Sequence, residues 1–315
     1  MSTPLAGPAP ILVVGSVALD SIETPFETRE DVLGGAAVHF SAAAGLFTRV
    51  RLVAVVGRDF PLDALDILRR RGVDLDGLEI VDGPSFRWRG RYHLDMNHRD
   101  TLDLQLGVFS EFRPKLPESY LDSEVVFLAN TDPDLQLQVL GQAQAARITA
   151  CDTIDHWIIE KRASIDELFS CVDIVFLNED EARLYADTPN LQKAAAAILA
   201  RGCRAVLIKK GENGALVVSR RPDGRSDTFV CAAYPLEEVV DPTGAGDAFA
   251  GGVMGALAAV RDYDLSSLRR ATVTGSVLAS FNVEGFGPHG LEPVSRDDVA
   301  VRLAAVREIV SWSDR

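Results

Sequence analysis

The sequence is short of the features that mark several protein classes. Only four of its 315 residues are cysteine, Cys151, Cys171, Cys203 and Cys231, and no two stand close enough for a CxxC metal or redox motif. Each lies beside apolar, strand-like residues, the setting of reduced, buried thiols. No Gly-Lys dipeptide occurs, so there is no Walker A loop. The five histidines show no HExxH spacing, and His93 and His98 read as surface residues rather than metal ligands. No basic tract offsets the formal net charge of −14, a balance that repels nucleic-acid phosphates. The apolar run at residues 10–14 follows no basic segment and soon meets Asp20; it is too short for a membrane span and poor as a signal peptide. Repeats and low-complexity stretches are lacking too. These absences point to a soluble, cytoplasmic protein with no nucleic-acid and no membrane partner. Residues 1–9, rich in proline and small residues, are expected to fray.

What is present is an ordinary globular composition, 47% hydrophobic and 25% charged, with enough apolar residues for a substantial core. Short β-branched runs at 11–17, 51–56, 124–128, 147–150, 173–177, 205–208 and 215–219 read as strands. Between and after them, helical patterns occupy 34–47, 62–71, 135–146, 164–171, 179–186, 191–201, 245–260 and 265–281. Strand-helix alternation predicts an α/β fold: a Rossmann-like, mostly parallel sheet with helices on both faces. Residues 85–106 break the pattern. They are polar, aromatic and often alternating, as in antiparallel strands exposed on one face. With a contribution from near residue 20 they form a candidate small β lid, about residues 18–33 and 84–108, on a single unit spanning 1–315.

The most informative stretch is residues 237–252, EEVVDPTGAGDAFAGG. An apolar pair, Val239-Val240, reads as the end of a strand. A tight turn of small residues follows, and then a helix begins. Such a turn presents backbone N–H groups that the helix cannot satisfy internally, and the helix dipole adds partial positive charge. Together they make an anion site that needs no lysine. Asp247 stands in the first turn, beside the place a phosphate would take. A carboxylate there is either an ordinary helix-start acid or a general base that accepts the proton of an attacking hydroxyl. The anion site would then stabilise charge on the transferring phosphoryl group.

The string DPTGAGDAFAGG resembles the signature of the PfkB, or ribokinase-like, family of carbohydrate and nucleoside kinases. The resemblance extends along most of the chain in order: Gly34-Gly35 before an Ala-rich helix, Asn178-Glu179-Asp180-Glu181 as an NxxE motif, and residues 209–215, KKGENGA, as the strand-turn-strand that touches the nucleotide. It implies a Rossmann-like core with a β lid and a phosphotransferase using ATP and Mg²⁺. Asp247 would be the base, with the N–H groups of Gly244, Ala245 and Gly246 as the anion hole. Asn178 and Glu181, three apart and so on one helix face, would organise Mg²⁺ through water. By themselves these acids are simply a helix start. Lys210, Gly211 and Glu212, with Asn178 and Thr243, would line the nucleotide side. Asp20 would hold substrate hydroxyls with Gly34, Gly35, His39 and Asn130, since a carboxylate accepts two hydrogen bonds from a diol. Asp241 and Thr243, with carbonyls near residues 280–285, would hold a monovalent cation such as K⁺.

Two positions depart from the sugar-kinase pattern: Ala18 and His39 stand where relatives often carry asparagine. The string around FRWRGRYH resembles a nucleoside-kinase-like branch, and the aromatic lid suits a base as well as a sugar. The expected activity is transfer of the ATP γ-phosphate to a hydroxymethyl group of a nucleoside or ribosyl compound. A sugar or polyol kinase and a non-catalytic nucleotide-binding regulator stand as alternatives. Open lid edges would pair in a homodimer. His98-Arg99-Asp100 mimics a protein-kinase loop, but the required asparagine is Gln105 and no DFG follows. GxGxxG at residues 285–290 contains Pro288 and follows no strand.

Overall fold

The computed structural model describes residues 7–311. The frayed start expected over residues 1–9 lies, up to residue 6, outside the described residues. The chain opens with β1 (Ile11–Val14), β2 (Ala18–Glu23), β3 (Thr28–Gly34), α1 (Ala36–Ala44) and β4 (Val50–Gly57). Helix α2 (Asp66–Arg70), β5 (Asp74–Val81) and the hairpin of β6 (Arg87–Tyr92) and β7 (Arg99–Gln105) follow. Alternation then resumes with β8 (Val125–Leu128), α3 (Pro133–Gln142), β9 (Ile148–Asp152), α4 (Asp155–Glu160), α5 (Arg162–Cys171), β10 (Ile174–Asn178), α6 (Glu179–Ala186), α7 (Leu191–Leu199) and β11 (Ala205–Lys209). The hairpin of β12 (Ala215–Arg220) and β13 (Ser226–Cys231) precedes α8 (Ala245–Val260), α9 (Leu265–Asn282) and α10 (Arg296–Ile309).

Nine strands form one sheet in the order β13-β12-β11-β10-β9-β8-β1-β4-β5. All neighbours from β11 to β5 are parallel, and only β12 is reversed, pairing antiparallel with both β11 and β13. The central strands are buried on both faces, which is why they read as unbroken apolar runs rather than alternations. Side-chain alternation divides them between two cores. Ile148 and Ala150, Ile174 and Phe176, and Ala205 and Leu207 pack with α1, α8 and α9. Cys151, Val175, Val206 and Ile208 pack with α5, α6 and α7 on the other face. The chain leaves β1 toward β4 on one side and later returns to β8 on the other. That reversal leaves a crevice at the carboxyl ends of β1 and β8, where ligands of such sheets bind. Helices α8 and α9 pack close: a Cβ at Gly252 would lie 2.8 Å from Gly275 Cα.

A second sheet, β3-β2-β6-β7, covers this crevice. Its outer face carries Arg89 and Arg91, both donating to Glu23. Strand β6 alternates, so Trp88, Gly90 and Tyr92 point to the opposite, inner face. Pairing of β2 with β6 is parallel, whereas β2–β3 and β6–β7 are antiparallel.

Several expectations need correcting. Val239-Val240 is not the end of a strand. Its segment is pinned instead to the end of α9, where the N–H groups of Val240 and Asp241 donate to the Val283 carbonyl at 2.8 and 3.2 Å. The first strand stops at Val14, because the Ser16 hydroxyl turns to accept the N–H of Ala36 at the start of α1. The helix expected over 62–71 is a 3₁₀ turn (Leu62–Leu65) running into α2. Strands β5 and β13 were not expected. Asp74, Asp76, Gly77 and Glu79 hide β5, and both lie at sheet edges, where polar residues face water.

Candidate active site

The site grows from the turn before α8. Gly244 takes φ +72°, and a Cβ there would fall 2.2 Å from the His39 ring, so both conformation and space call for glycine. The turn leaves the first N–H groups of α8, at Gly246 and Asp247, without helical acceptors, while the Ala245 N–H donates to the Pro242 carbonyl at 3.2 Å, and Asp247 stands among them. Burial, reinforced by the charge of Asp152 and opposed by Lys209 and Arg99, lifts Asp247 to about 7. That value suits a base working near neutrality, whereas an ordinary carboxylate sits near about 4.

Three neighbouring strands end in polar residues on the face that α8 covers. Asp152 closes β9, Asn178 closes β10 and Lys209 closes β11. Lys209 Nζ is salt-bridged to Asp152 Oδ2 and would lie 3.2 Å from a Cβ at Gly246, directly behind the anion-binding turn. Burial works against its ammonium, but the carboxylates of Asp152, Glu181 and Asp247 hold its proton affinity above the usual value. Asn178 and Glu181 lock together as a capping box: Asn178 N and Nδ2 donate to Glu181 at 2.7 Å each, and Glu181 N donates back at 2.8 Å. Burial, opposed by Lys209 and reinforced by Asp152, lifts Glu181 to about 8.

Across the crevice, Asp20 of β2 is buried against the backbone of Gly34; a Cβ there would lie 2.0 Å from Asp20 Oδ2. Burial and then the charges of Asp241 and Asp247 lift Asp20 to about 7, against the Gly35 N–H and Arg99. Asp20 and Asp247 are therefore close enough for the charge of Asp247 to act on Asp20. Asn130 follows β8 beside β1, and its buried Oδ1 has no partner within the protein. The lid is tied to the α8 turn, since Thr243 Oγ1 donates to Tyr92 OH at 3.1 Å. Arg99, the register partner of Tyr92, faces the same way and is the cation felt by both Asp20 and Asp247. The tip of the β6–β7 hairpin lies on the β11–β12 turn: Asn97 Oδ1 would be 2.7 Å from a Cβ at Gly211. Lys210, Gly211 and Glu212 are thus beside the lid tip, Gly211 and Glu212 exposed.

Asp20, Gly34, Gly35, Asn178, Glu181, Thr243 and the 244–247 turn are thus brought around one crevice. His39 is different. It lies 1% exposed beneath Gly244, its Nδ1 2.8 Å from Asn282 Oδ1, so what it touches in the structure is the turn itself. Asp152, Lys209, Arg99 and Asn282 escaped the sequence reading. Alternation held a signal for Lys209: counting from Ala205 and Leu207, position 209 points toward α8 and Lys210 does not. Asp152 continues Ile148 and Ala150 in the same way. Nothing local marks Arg99 or Asn282, whose partners are far off in sequence.

A model of the pfkB family carbohydrate kinases matches residues 10–293. The chain belongs to this family. Aligned with the cytidine kinase of Thermococcus kodakarensis, it is 33% identical over 250 residues, covering 78% of this chain and 87% of that one. The nucleoside kinase of Methanothermobacter thermautotrophicus is 26% identical over 298 residues, covering 88% and 90%. In fold, the chain is similar to the Burkholderia thailandensis nucleoside kinase in complex with inosine, with a TM-score of 0.76 at 21% identity, covering 94% of this chain and 98% of that one. The chain is therefore an ATP-dependent kinase of this family. Among the described residues no helix is long and apolar enough to cross a membrane.

The raised proton affinity of Asp247 has a kinetic consequence. The base must be ionised to accept a proton, so kcat/KM should climb as pH rises through about 7 and level off above it. A pH profile of initial rates checks this; a base of ordinary acidity would give a profile already flat by about pH 5.

Proposed function

We propose that the chain phosphorylates the hydroxymethyl group of a nucleoside or ribosyl compound, with ATP as donor. The observation that carries this is that Asp247, at the amino end of α8, and the lid residue Asp20 are both buried and close enough for one to feel the other's charge, with the lid bonded to the α8 turn. Asp20 accepts hydrogen bonds from a diol, helped by the backbone at Gly34 and Gly35 and by the unpartnered Oδ1 of Asn130. The acceptor hydroxyl then lies toward Asp247, which takes its proton as the oxygen attacks the γ-phosphorus. The bond to the ADP oxygen breaks, and charge on the transferring group meets the N–H groups of Gly244, Ala245 and Gly246. Lys209 behind the turn and Arg99 above it answer the difficulty posed by a net charge of −14: they supply local cations in an acidic protein. Lys210, Gly211, Glu212 and Thr243 line the nucleotide side.

Among the described residues no trio of His, Cys, Asp or Glu converges on a metal directly. The buried carboxylates of Asp152, Glu181 and Asp247 nevertheless outnumber the one buried ammonium, Lys209. Their raised proton affinities mark carboxyl oxygens short of positive charge, and such hard oxygens fit a Mg²⁺ ion that keeps its water shell and would be held through water by Glu181 and Asn178. The ion would neutralise the phosphates of the nucleotide.

A nucleoside is favoured over a plain sugar by the inner face of the lid. Trp88 donates Nε1 to Thr101 Oγ1 at 3.2 Å and packs over Gly90, which holds its ring as a surface for a flat base. The relatives named cytidine and nucleoside kinase point the same way. Cytoplasm, where ATP is available and the four free cysteines stay reduced, is the compartment of such an enzyme. The open edges of the lid, β3 and β7, suit pairing in a homodimer.

A coupled ADP-release screen across nucleosides, ribose, hexoses and inositols should show saturation with nucleosides. Turnover confined to sugars would overturn the substrate class, and no turnover with any alcohol would favour a nucleotide-binding regulator. Sedimentation at micromolar concentration should return twice the 34.0 kDa chain mass; a monomer would contradict the lid-edge pairing.

A further inference from the structure

Protein groups brace the anion-binding turn. Asp241 is fully buried, and both its carboxylate oxygens are engaged: Oδ1 accepts the Thr243 N–H at 2.8 Å and Oδ2 the Gly287 N–H at 2.9 Å. The Val283 carbonyl accepts two N–H groups, from Val240 and Asp241. The Thr243 carbonyl accepts Asn282 Nδ2 at 2.9 Å. Asn282 is 0% exposed and its Oδ1 faces His39 Nδ1 at 2.8 Å.

The direction of this relay follows from its ends. A carbonyl only accepts, so the amide NH₂ of Asn282 faces Thr243 and its oxygen faces His39. His39 must then carry its hydrogen on Nδ1. Burial holds the ring neutral, with its pKa pushed down to about 4 despite the bond to Asn282. The ring lies flat beneath Gly244, where a Cβ would meet Cγ, Cδ2 and Nδ1 at 2.2–2.3 Å. His39 and Asn282 thus fix the carbonyl of one turn residue and the backbone of the next.

These are the oxygens a monovalent cation would gather, and they do not fit that role. Val283 has both carbonyl lone pairs spent, and at each Asp241 oxygen and at the Thr243 carbonyl a cation would have to share the oxygen with an N–H whose positive end already faces it. The NH₂ group of Asn282 supplies the positive end of a dipole at Thr243, where a cation would supply charge. We infer that His39 and Asn282 are positioning residues that replace a monovalent cation as the brace of the phosphate-binding turn, so that this kinase works independently of K⁺.

The inference rests on the phosphoryl-transfer reading above, and its test separates the two. The full-length protein is freed of K⁺ and titrated with KCl against tetramethylammonium chloride at constant ionic strength. Both the rate and the thermal midpoint are read; the midpoint needs no turnover, so it stands even if the substrate assignment fails. Wild type should change by less than about twofold in rate, with no midpoint shift specific to K⁺; activation of about fivefold or more, the low end of ordinary effector coupling, would overturn the inference. Asn282→Asp removes the amide donor and places a carboxylate beside the Thr243 carbonyl. This variant should lose rate in tetramethylammonium and recover it in KCl, a rescue that a merely structural role would not give. A folded Asn282→Asp protein indifferent to K⁺ would also overturn it. If that variant does not fold, the wild-type titration decides alone.

Discussion

The amino end of α8 has to bind a phosphoryl group and hold a carboxylate within the same few ångströms. These demands conflict, because the field that attracts phosphate also lowers the proton affinity a base needs. Burial settles the conflict in favour of the base, and Asp152 adds to it, so that Asp247 stays near neutrality despite Lys209 and Arg99. Lys209, salt-bridged to Asp152, and Arg99 still place positive charge on either side of the turn. Without burial, the same helix start would hold an ordinary ionised acid.

Everything nearby follows from keeping that helix end fixed and dry. Gly244 must turn left-handed over His39, which leaves no room for any side chain. The Asp241 carboxylate ties the turn to the stretch after α9 through the Gly287 N–H. Asn282 ties it again through Thr243, and Tyr92 brings the lid to the same residue. Strands β9, β10 and β11 end together beneath it, so Asp152, Asn178 and Lys209 form its far wall. One sheet end, one helix start and one lid therefore converge on a single turn.

Much of this was legible in the sequence, and the limits have physical reasons. Buried parallel strands leave unbroken apolar runs, so the central sheet could be read, whereas β5, with Asp74, Asp76 and Glu79, could not. The small-residue turn and Asp247 are contiguous and chemically distinctive, so the core of the site stood out. Asp20 and Gly34-Gly35 were accessible because each follows or precedes a local landmark. The sequence places His39 on α1 beside the substrate-facing glycines but does not show its direction, which in the structure is toward Asn282 and Gly244. Lys209 was passed over for Lys210 by one residue, the offset that moves a strand side chain to the other face. Arg99 and Asn282 act across 100 residues or more of chain, on Asp247 and His39, and no local pattern records such a meeting.

The central claim is that Asp247 acts as the base rather than as a helix-start acid. Rapid-mixing single-turnover measurements on Asp247→Asn, paired with calorimetric ATP binding, test it most directly. The amide keeps the shape and removes the proton acceptor. The account predicts phosphoryl transfer slower by about 10²–10⁴-fold, with ATP affinity changed little. Transfer at close to the wild-type rate in a variant that binds ATP normally would contradict it.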